Sequence, residues 1–166
     1  TVNPALYAQL PYDTLKDFTD IVPFAEQPNV MVVNADAPYK TLGDLMAAAK
    51  AKPGAINIGH AGIGSGTHLS TEKWIAAANI KVVEVPFKGT PEALNETMAG
   101  RIDWFFAPMV SALSLVQSGK LKALAVGTAK RSDVLPQLPT TVEAGVPGSE
   151  YLFWVGLFAP ARTPTA

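Results

Sequence analysis

The sequence predicts an α/β fold from two features of the chain. Strand-like segments rich in β-branched residues alternate with helix-like segments between residues 29 and 126. Apolar residues make up 48% of the chain and charged residues only 16%, which is the composition of a packed domain. Alternating strands and helices joined by short loops predict a parallel sheet that is covered by helices on both faces.

Each predicted element has a local justification. Thr41 and Asp44 form a capping signal for the first helix, and Pro91 occupies the first position of the third, where a missing N–H costs nothing. Thr90 is expected to cap that third helix, and Gly100 to end it. The predicted strands are 29–33, 55–59, 81–85, 102–107 and 121–126, and the predicted helices are 41–52, 67–78, 90–100 and 110–118.

The two ends of the sequence differ from its centre. Residues 1–26 hold one strand-like stretch, and residues 128–166 are proline-rich, with a short capped helix and one more strand. Neither segment makes a self-contained layer. We therefore expect residues 27–127 to form one complete α/β domain, inserted into a second domain of which residues 1–26 and 128–166 are parts.

Composition excludes several classes of function. The net charge is −1 with no stripe of Lys and Arg, so we expect no nucleic-acid partner. The absence of cysteine excludes disulfides, thiolate metal sites and cysteine nucleophiles. No apolar run approaches the roughly 20 residues of a membrane-spanning helix. The sequence begins at Thr1 without Met, and we expect it to be a processed or excised segment.

A glycine-rich turn between a predicted strand and a predicted helix is the main candidate site. Such a turn leaves the first N–H groups of the helix unpaired, where an anion can accept them. Glycines let a ligand approach the backbone closely, and hydroxyl and imidazole groups can add donors. The predicted anion-binding residues are Gly62, Gly64, Ser65, Gly66, Thr67 and His68.

The turn matches none of the common nucleotide or nucleophile motifs. Thr67 stands where a dinucleotide fingerprint has its third glycine, and no Gly-Lys-Ser/Thr follows as in a Walker loop. Ser65 is flanked by Ile63 and Thr67, where a nucleophile elbow needs glycine. The turn could also be merely structural, and His68 could be a packed side chain instead of a ligand contact.

The next strand-to-helix junction carries Lys88, Gly89 and Thr90. Loops that follow parallel strands meet at one edge of a sheet, so two helix N-termini would face one cleft. Lys88 could add its charge or lie solvated on the surface. His60 and His68 are eight residues apart across the turn and are not expected to form a metal pair. We find no catalytic residues and predict no cofactor and no metal.

Short motifs along the whole chain identify a known family. The sequence resembles the periplasmic solute-binding proteins of the tripartite tricarboxylate transporters, also called Bug or TctC receptors. The motifs are Asn3-Pro-Ala-Leu-Tyr7, Leu10-Pro-Tyr-Asp13, Lys52-Pro-Gly54, Gly64-Ser-Gly-Thr-His-Leu69, Val85-Pro-Phe-Lys-Gly89, Gly100-Arg-Ile-Asp103, Pro139-Thr-Thr-Val-Glu-Ala-Gly145 and Trp154-Val-Gly-Leu-Phe-Ala-Pro160.

The resemblance implies a type II, clamshell periplasmic-binding-protein fold, with one complete domain and part of the second. It implies a periplasmic receptor that captures a small carboxylate and delivers it to a membrane permease without catalysis. Backbone amides and hydroxyls of the loops hold the carboxylate in this family, and the match adds Ala107 and Pro108 to the expected ligand-binding residues.

The family's receptors are about twice as long as this chain, so we expect half of the binding site to be missing and binding by the chain alone to be weak. Two alternatives remain. One is a carboxylate sensor or scavenger on the same fold, and the other is an enzyme domain that binds a phosphorylated substrate at the glycine turn.

Overall fold

The computed structural model describes residues 2–164. The chain divides into two compact units. The larger unit is Pro28–Phe153, and the smaller combines the segment up to Gln27 with the segment from Trp154 onward. Among the described residues, none of the helices is long and apolar enough to cross a bilayer.

The larger unit is built on a five-stranded mixed sheet. The strand order is β4-β3-β5-β2-β6, and β3 runs parallel to both β4 and β5. Strand β2, which lies between β5 and β6, runs antiparallel to both, an arrangement that a purely parallel sheet would not contain. The strands are β2 (Asn29–Asn34), β3 (Asn57–His60), β4 (Val83–Pro86), β5 (Trp104–Pro108) and β6 (Leu121–Val126).

Four helices cover the two faces of this sheet. Side chains alternate along β2 and β5, so Met31 and Phe106 enter one apolar cluster while Val30 and Phe105 enter the other. The first cluster includes residues of α2 and α3, and the second includes residues of α4 and α5. The helices are α2 (Leu42–Ala51), α3 (Gly66–Ala78), α4 (Thr90–Met98) and α5 (Met109–Gln117).

Three fully buried aromatic side chains join α3 to the sheet. The ring of Trp74 in α3 meets that of Trp104 in β5 at a centroid distance of 5.2 Å and an interplanar angle of 75°. Phe106, two residues further along β5, lies 5.6 Å from Trp104 and 6.5 Å from Trp74. Edge-to-face pairs of this kind add to the stabilisation from buried area. Trp104, for which the sequence left open a core position or a cleft wall, is therefore a core residue.

The helix caps agree only in part with the sequence analysis. Thr41 and Asp44 form the expected capping box of α2, with the Asp44 N–H donating to the Thr41 hydroxyl at 3.2 Å. Thr90 does not cap α4 as predicted, because it already lies inside the helix and Gly89 is the N-cap residue. Thr140 forms a β-bridge with Val126, and residues 141–145 form turns instead of a helix, although Thr140 and Glu143 make reciprocal capping bonds.

The larger unit extends beyond the domain boundary predicted at residue 127. The backbone after β6 continues to pair with it, since the Thr141 N–H donates to the carbonyl of Val126 at 2.9 Å. The Tyr151 N–H donates to the carbonyl of Gly127 at 2.7 Å. Leu138 is buried in the apolar cluster on the α4–α5 face. Residues 128–153 therefore belong to the larger unit, where the sequence analysis assigned them to the partial domain.

The smaller unit has a different architecture. It contains α1 (Asn3–Leu6) and a two-stranded sheet of β1 (Phe18–Gln27) and β7 (Phe153–Pro160), whose first residue falls in the larger unit. Both strands are mostly exposed, and large apolar side chains such as Leu15, at 89%, and Phe24, at 70%, face solvent. This unit therefore leaves most of its apolar surface uncovered.

The two threonines at the starts of α2 and α4 provide a matched test of capping. Replacing Thr41 with Ala removes a side-chain cap, so we expect the free energy of unfolding of the 166-residue chain to fall by about 1 kcal/mol. The matched control, Thr90→Ala, removes no cap and should change it by less than half as much. Urea denaturation followed by circular dichroism measures both, and equal losses would contradict the assignment of Gly89 as the cap of α4.

Candidate functional site

The loops predicted to bind ligand meet at one edge of the larger sheet. The strands β3, β4 and β5 are parallel, so the residues that follow each of them lie at the same edge. At this edge lie the glycine loop 61–65, which leads into α3, the loop 87–89 and Pro108, the last residue of β5. The antiparallel strand β2 begins there too, with Asn29 opposite Pro108. Every residue of the predicted site lies in or next to this edge.

The backbone of the glycine loop requires glycine at three positions. Gly62 has φ 107° and Gly64 has φ 77°, values that side chains disfavour. Gly66 begins α3, and a Cβ atom there would lie 2.3 Å from the ring of Phe153. The first two glycines therefore fix the course of the loop, while the third lets an aromatic ring pack directly against the start of the helix.

The hydroxyl groups of the loop are used mainly inside it. Ser65 is the N-cap of α3 and accepts the His68 N–H at 3.2 Å, and Thr67 accepts the Ala61 N–H at 2.9 Å. The two hydroxyls also hydrogen-bond each other at 3.0 Å. That bond uses one of their two protons, so the pair can offer one donor to a ligand instead of the two expected. Ser65 is the partly exposed member, and Thr67 is buried.

The start of α3 retains free backbone donors. Among the described residues, the N–H groups of Gly66 and Thr67 have no acceptor, since they are the first two helical residues. The helix dipole favours negative charge at this position, typically by about 0.3–1 kcal/mol. The edge of the sheet therefore presents directed donors and a positive potential to an anion.

The second loop is less favourable to an anion than the sequence suggests. The side chain of Lys88 is exposed, and its backbone N–H donates to the carboxylate of Glu92 at 3.0 Å. Glu92 thus places a negative charge at the start of α4. Gly89 and Thr90 are half-buried, and Pro91 removes one N–H group from the first turn. This loop offers fewer donors than the start of α3.

The third predicted segment contributes backbone only. Ala107 is fully buried in β5, so its methyl group packs in the core. Pro108 is the N-cap of α5, and the Met109 N–H is already taken by the carbonyl of Pro28 at 2.9 Å. Pro108 is half-buried and can border a ligand, whereas the side chain of Ala107 cannot reach one.

The structure also places at this edge a buried polar residue, Asn29, that the sequence analysis did not single out. Asn29 is buried, and its amide nitrogen donates to the Ser70 hydroxyl at 3.0 Å and to the carbonyl of Gly66 at 3.4 Å. Its carbonyl oxygen has no partner among the described residues. The sequence does contain a signal for Asn29. It is a polar residue that directly follows Pro28 and begins a strand whose next four residues are apolar.

Two histidines that were not expected to pair lie side by side. The rings of His60 and His68 have centroids 4.5 Å apart, because α3 folds back over β3 after the glycine loop. The sequence analysis judged from the spacing alone that the two would not form a metal pair, and it did not foresee that α3 brings the two rings together. Glu84 of β4 approaches both rings, and Glu72 lies one helical turn after His68.

Burial shifts the pKa of two groups in this cluster. Burial lowers the pKa of His60, and the neighbouring His68 ring lowers it further, so the His60 ring is neutral at pH 7. Burial is the main cause that raises the pKa of Glu84 to about 7, and a hydrogen bond with Glu72 contributes in the same direction. Within the cluster, the His60 ring is therefore uncharged and the Glu84 carboxyl only partly charged at neutral pH.

Comparison with known proteins agrees with this architecture. Residues 1–166 match the sequence profile of a family described as "Tripartite tricarboxylate transporter family receptor". The chain belongs to this receptor family. It is 35% identical over 164 residues to a Pseudomonas protein described as "UPF0065 protein in tcbD-tcbE intergenic region", an alignment that covers 98% of this chain and 49% of that protein. The chain therefore spans about half the length of this relative.

Solved structures of the receptor family confirm the predicted fold class. A Rhodopseudomonas palustris protein solved with adipate superposes with a TM-score of 0.90 at 35% identity, covering 96% of this chain and 53% of that one. MatC from the same organism, solved with malate, gives a TM-score of 0.89 at 32% identity, covering 98% and 55%. The receptor chain thus has a periplasmic solute-binding-protein fold, and these relatives hold carboxylates.

Gly66 allows a direct test of how the start of α3 is packed. Gly66→Ala would force a Cβ into the ring of Phe153, and we expect it to lower the free energy of unfolding by about 1–3 kcal/mol. Gly43→Ala in α2 is the control, because its Cβ would meet only the Thr41 hydroxyl at 3.5 Å. It should stabilise the protein by about 0.5–1 kcal/mol.

A double variant separates packing from backbone effects at Gly66. Adding Phe153→Ala removes the ring that the new methyl group would meet, so the cost of Gly66→Ala should shrink in that background. Urea denaturation of the four proteins of the cycle gives the coupling energy. A cost of Gly66→Ala that is unchanged without the ring would show that Phe153 does not constrain this position.

Proposed function

We propose that this chain is the ligand-capturing part of a periplasmic receptor that binds a small carboxylate and delivers it to the permease of a tripartite tricarboxylate transporter. The observation that carries the proposal is the start of α3, where the free N–H groups of Gly66 and Thr67 lie at a sheet edge. Carboxylates accept such donors. Relatives with this fold hold adipate and malate, which supports a dicarboxylate as ligand.

The contacts at this edge indicate how a carboxylate would be held. One of its oxygens accepts the N–H groups that open α3, and the Ser65 hydroxyl supplies the remaining donor of the loop. The loop 87–89 and Pro108 border the ligand. Glu92 at the start of α4 repels a second negative charge there, so the far carboxylate points away from α4. Binding and release then need no bond-making step, and the receptor acts without catalysis.

We propose further that the smaller unit is part of a second lobe, completed by sequence outside these 166 residues. Its exposed apolar side chains, Leu15 and Phe24 among them, are the surface that such sequence would cover. The chain spans about half of its relatives, which supports this assignment. A clamshell receptor gains affinity by closing two lobes around its ligand.

A thermal-shift screen of the full-length receptor that contains this chain tests the function. We expect dicarboxylates of four to six carbons to raise the midpoint by several degrees, while phosphate and ATP leave it unchanged. A response to phosphate or ATP alone would support the enzyme alternative instead. If no carboxylate shifts the midpoint, the proposed function is wrong.

Ser65 should matter to affinity through its single available hydroxyl. In the full-length receptor, Ser65→Ala should weaken binding of the best dicarboxylate by about tenfold or more, since a hydrogen bond to a charged group contributes about 1.5–3 kcal/mol. The control is Ser118→Ala. Ser118 is the C-cap of α5, at the end of that helix opposite to Pro108, and its replacement should change the Kd by less than twofold. Isothermal titration calorimetry below the unfolding temperature measures both. Equal effects would rule out the Ser65 contact.

The 166-residue chain alone should bind the same dicarboxylate far more weakly than the full-length receptor, because contacts from the rest of the second lobe are missing. Calorimetry under identical conditions compares the two proteins. Micromolar or tighter binding by the chain alone would contradict the proposed division of the site.

A further inference from the structure

We propose that His60, His68 and Glu84 form a binding site for a divalent transition metal ion of the Zn²⁺ type. These three side chains, the histidine–glutamate cluster, come from the end of β3, the first turn of α3 and the middle of β4. One possible ligand atom from each lies within 4.8 Å of the others. The proposal is independent of the carboxylate-binding function.

The sheet and α3 bring these residues together for identifiable reasons. In the parallel pair of β3 and β4, Ile58 is opposite Glu84, so Glu84 and the next residue on that face of β3, His60, are diagonal neighbours. The helix α3 covers this face, held by Trp74 in the core. Its first turn therefore places His68 above His60.

The two distances from the histidines to Glu84 are longer than hydrogen bonds and close to the separation of two ligands of one metal ion. Nε2 of His60 lies 3.8 Å from Oε2 of Glu84, and Nε2 of His68 lies 3.6 Å from the same oxygen. Both separations exceed the range of a hydrogen bond. Zinc ligands at about 2.0–2.1 Å in a tetrahedron are separated by about 3.4 Å. A metal ion between these atoms would require only small movements.

His60 lacks the partner that a buried histidine normally has. Its side chain is only 3% exposed, and its Nδ1 atom has no hydrogen-bond partner among the described residues. Buried polar atoms without a partner are uncommon and require an explanation. Because Nε2 is the atom that faces Glu84, a metal ion would bind there, and the proton of the neutral ring would then be fixed on Nδ1 as a donor.

The set of donor atoms selects the class of metal. Two imidazoles and one carboxylate suit Zn²⁺ and its neighbours Co²⁺ and Ni²⁺, whereas Mg²⁺ and Ca²⁺ prefer oxygen ligands throughout. Three protein ligands leave a fourth position. Oε1 of Glu72 lies 3.8 Å from Nε2 of His68 and is a candidate for that position.

Metal binding at His68 would also alter the glycine loop. Nδ1 of His68 accepts the Gly64 N–H at 3.2 Å, so the neutral ring carries its proton on Nε2. When Nε2 binds a metal, that proton moves to Nδ1, which can then no longer accept a hydrogen bond. The Gly64 N–H loses its acceptor and becomes free, and its amide resonance reports this change.

Titration of the untagged 166-residue chain with zinc chloride tests the proposal. Calorimetry should give one site with a Kd in the micromolar range or tighter, and Glu84→Gln and His68→Gln should each weaken it by at least tenfold. Asp133→Asn, which removes an exposed carboxylate of the larger unit outside the cluster, should stay within twofold. Circular dichroism spectra confirm that each variant is folded.

The wild-type protein provides a second readout that needs no variant. In ¹⁵N-correlated spectra, the Gly64 amide should shift on addition of zinc in proportion to occupancy, while the Gly43 amide in α2 should not. Absence of saturable one-to-one zinc binding would overturn the proposal. So would zinc affinity that both variants retain, or a Gly64 resonance that does not move at saturation.

Discussion

The packing of Trp74 against Trp104 and Phe106 is the interaction on which the rest of the larger unit depends. These three rings fix α3 on the sheet, with a centroid distance of 5.2 Å for the closest pair. Because the helix is rigid, this contact in its middle determines where its first turn lies. The free N–H groups of Gly66 and Thr67, the cap at Ser65 and the ring of His68 all take their positions from it.

The glycine loop shows how a site can be built with few dedicated side chains. Ser65 and Thr67 use most of their hydrogen-bonding capacity on the loop itself, which holds its backbone in one conformation. The donors offered outward are therefore mainly main-chain groups, whose direction is set by the fold. Carboxylates differ little in how they accept such groups, so under the proposed function selection among ligands would come from the surfaces around the site.

The sequence predicted the elements well because their signals are local. The Thr41–Asp44 capping box and the β-branched residues of β2 each act within a few residues. Three features that the sequence did not reveal depend on partners that are distant in the chain. They are the antiparallel direction of β2, the membership of residues 128–153 in the larger unit, and the His60–His68 contact. Glu84 was missed for the same reason, because only strand pairing places it beside His60.

The larger unit begins and ends beside the same helix turn. Asn29, its second residue, donates a hydrogen bond to the carbonyl of Gly66, and the ring of Phe153, its last residue, covers that glycine. Both ends of the larger unit are thus tied to the turn that carries the free N–H groups, so an error in packing at either end would displace the same backbone donors.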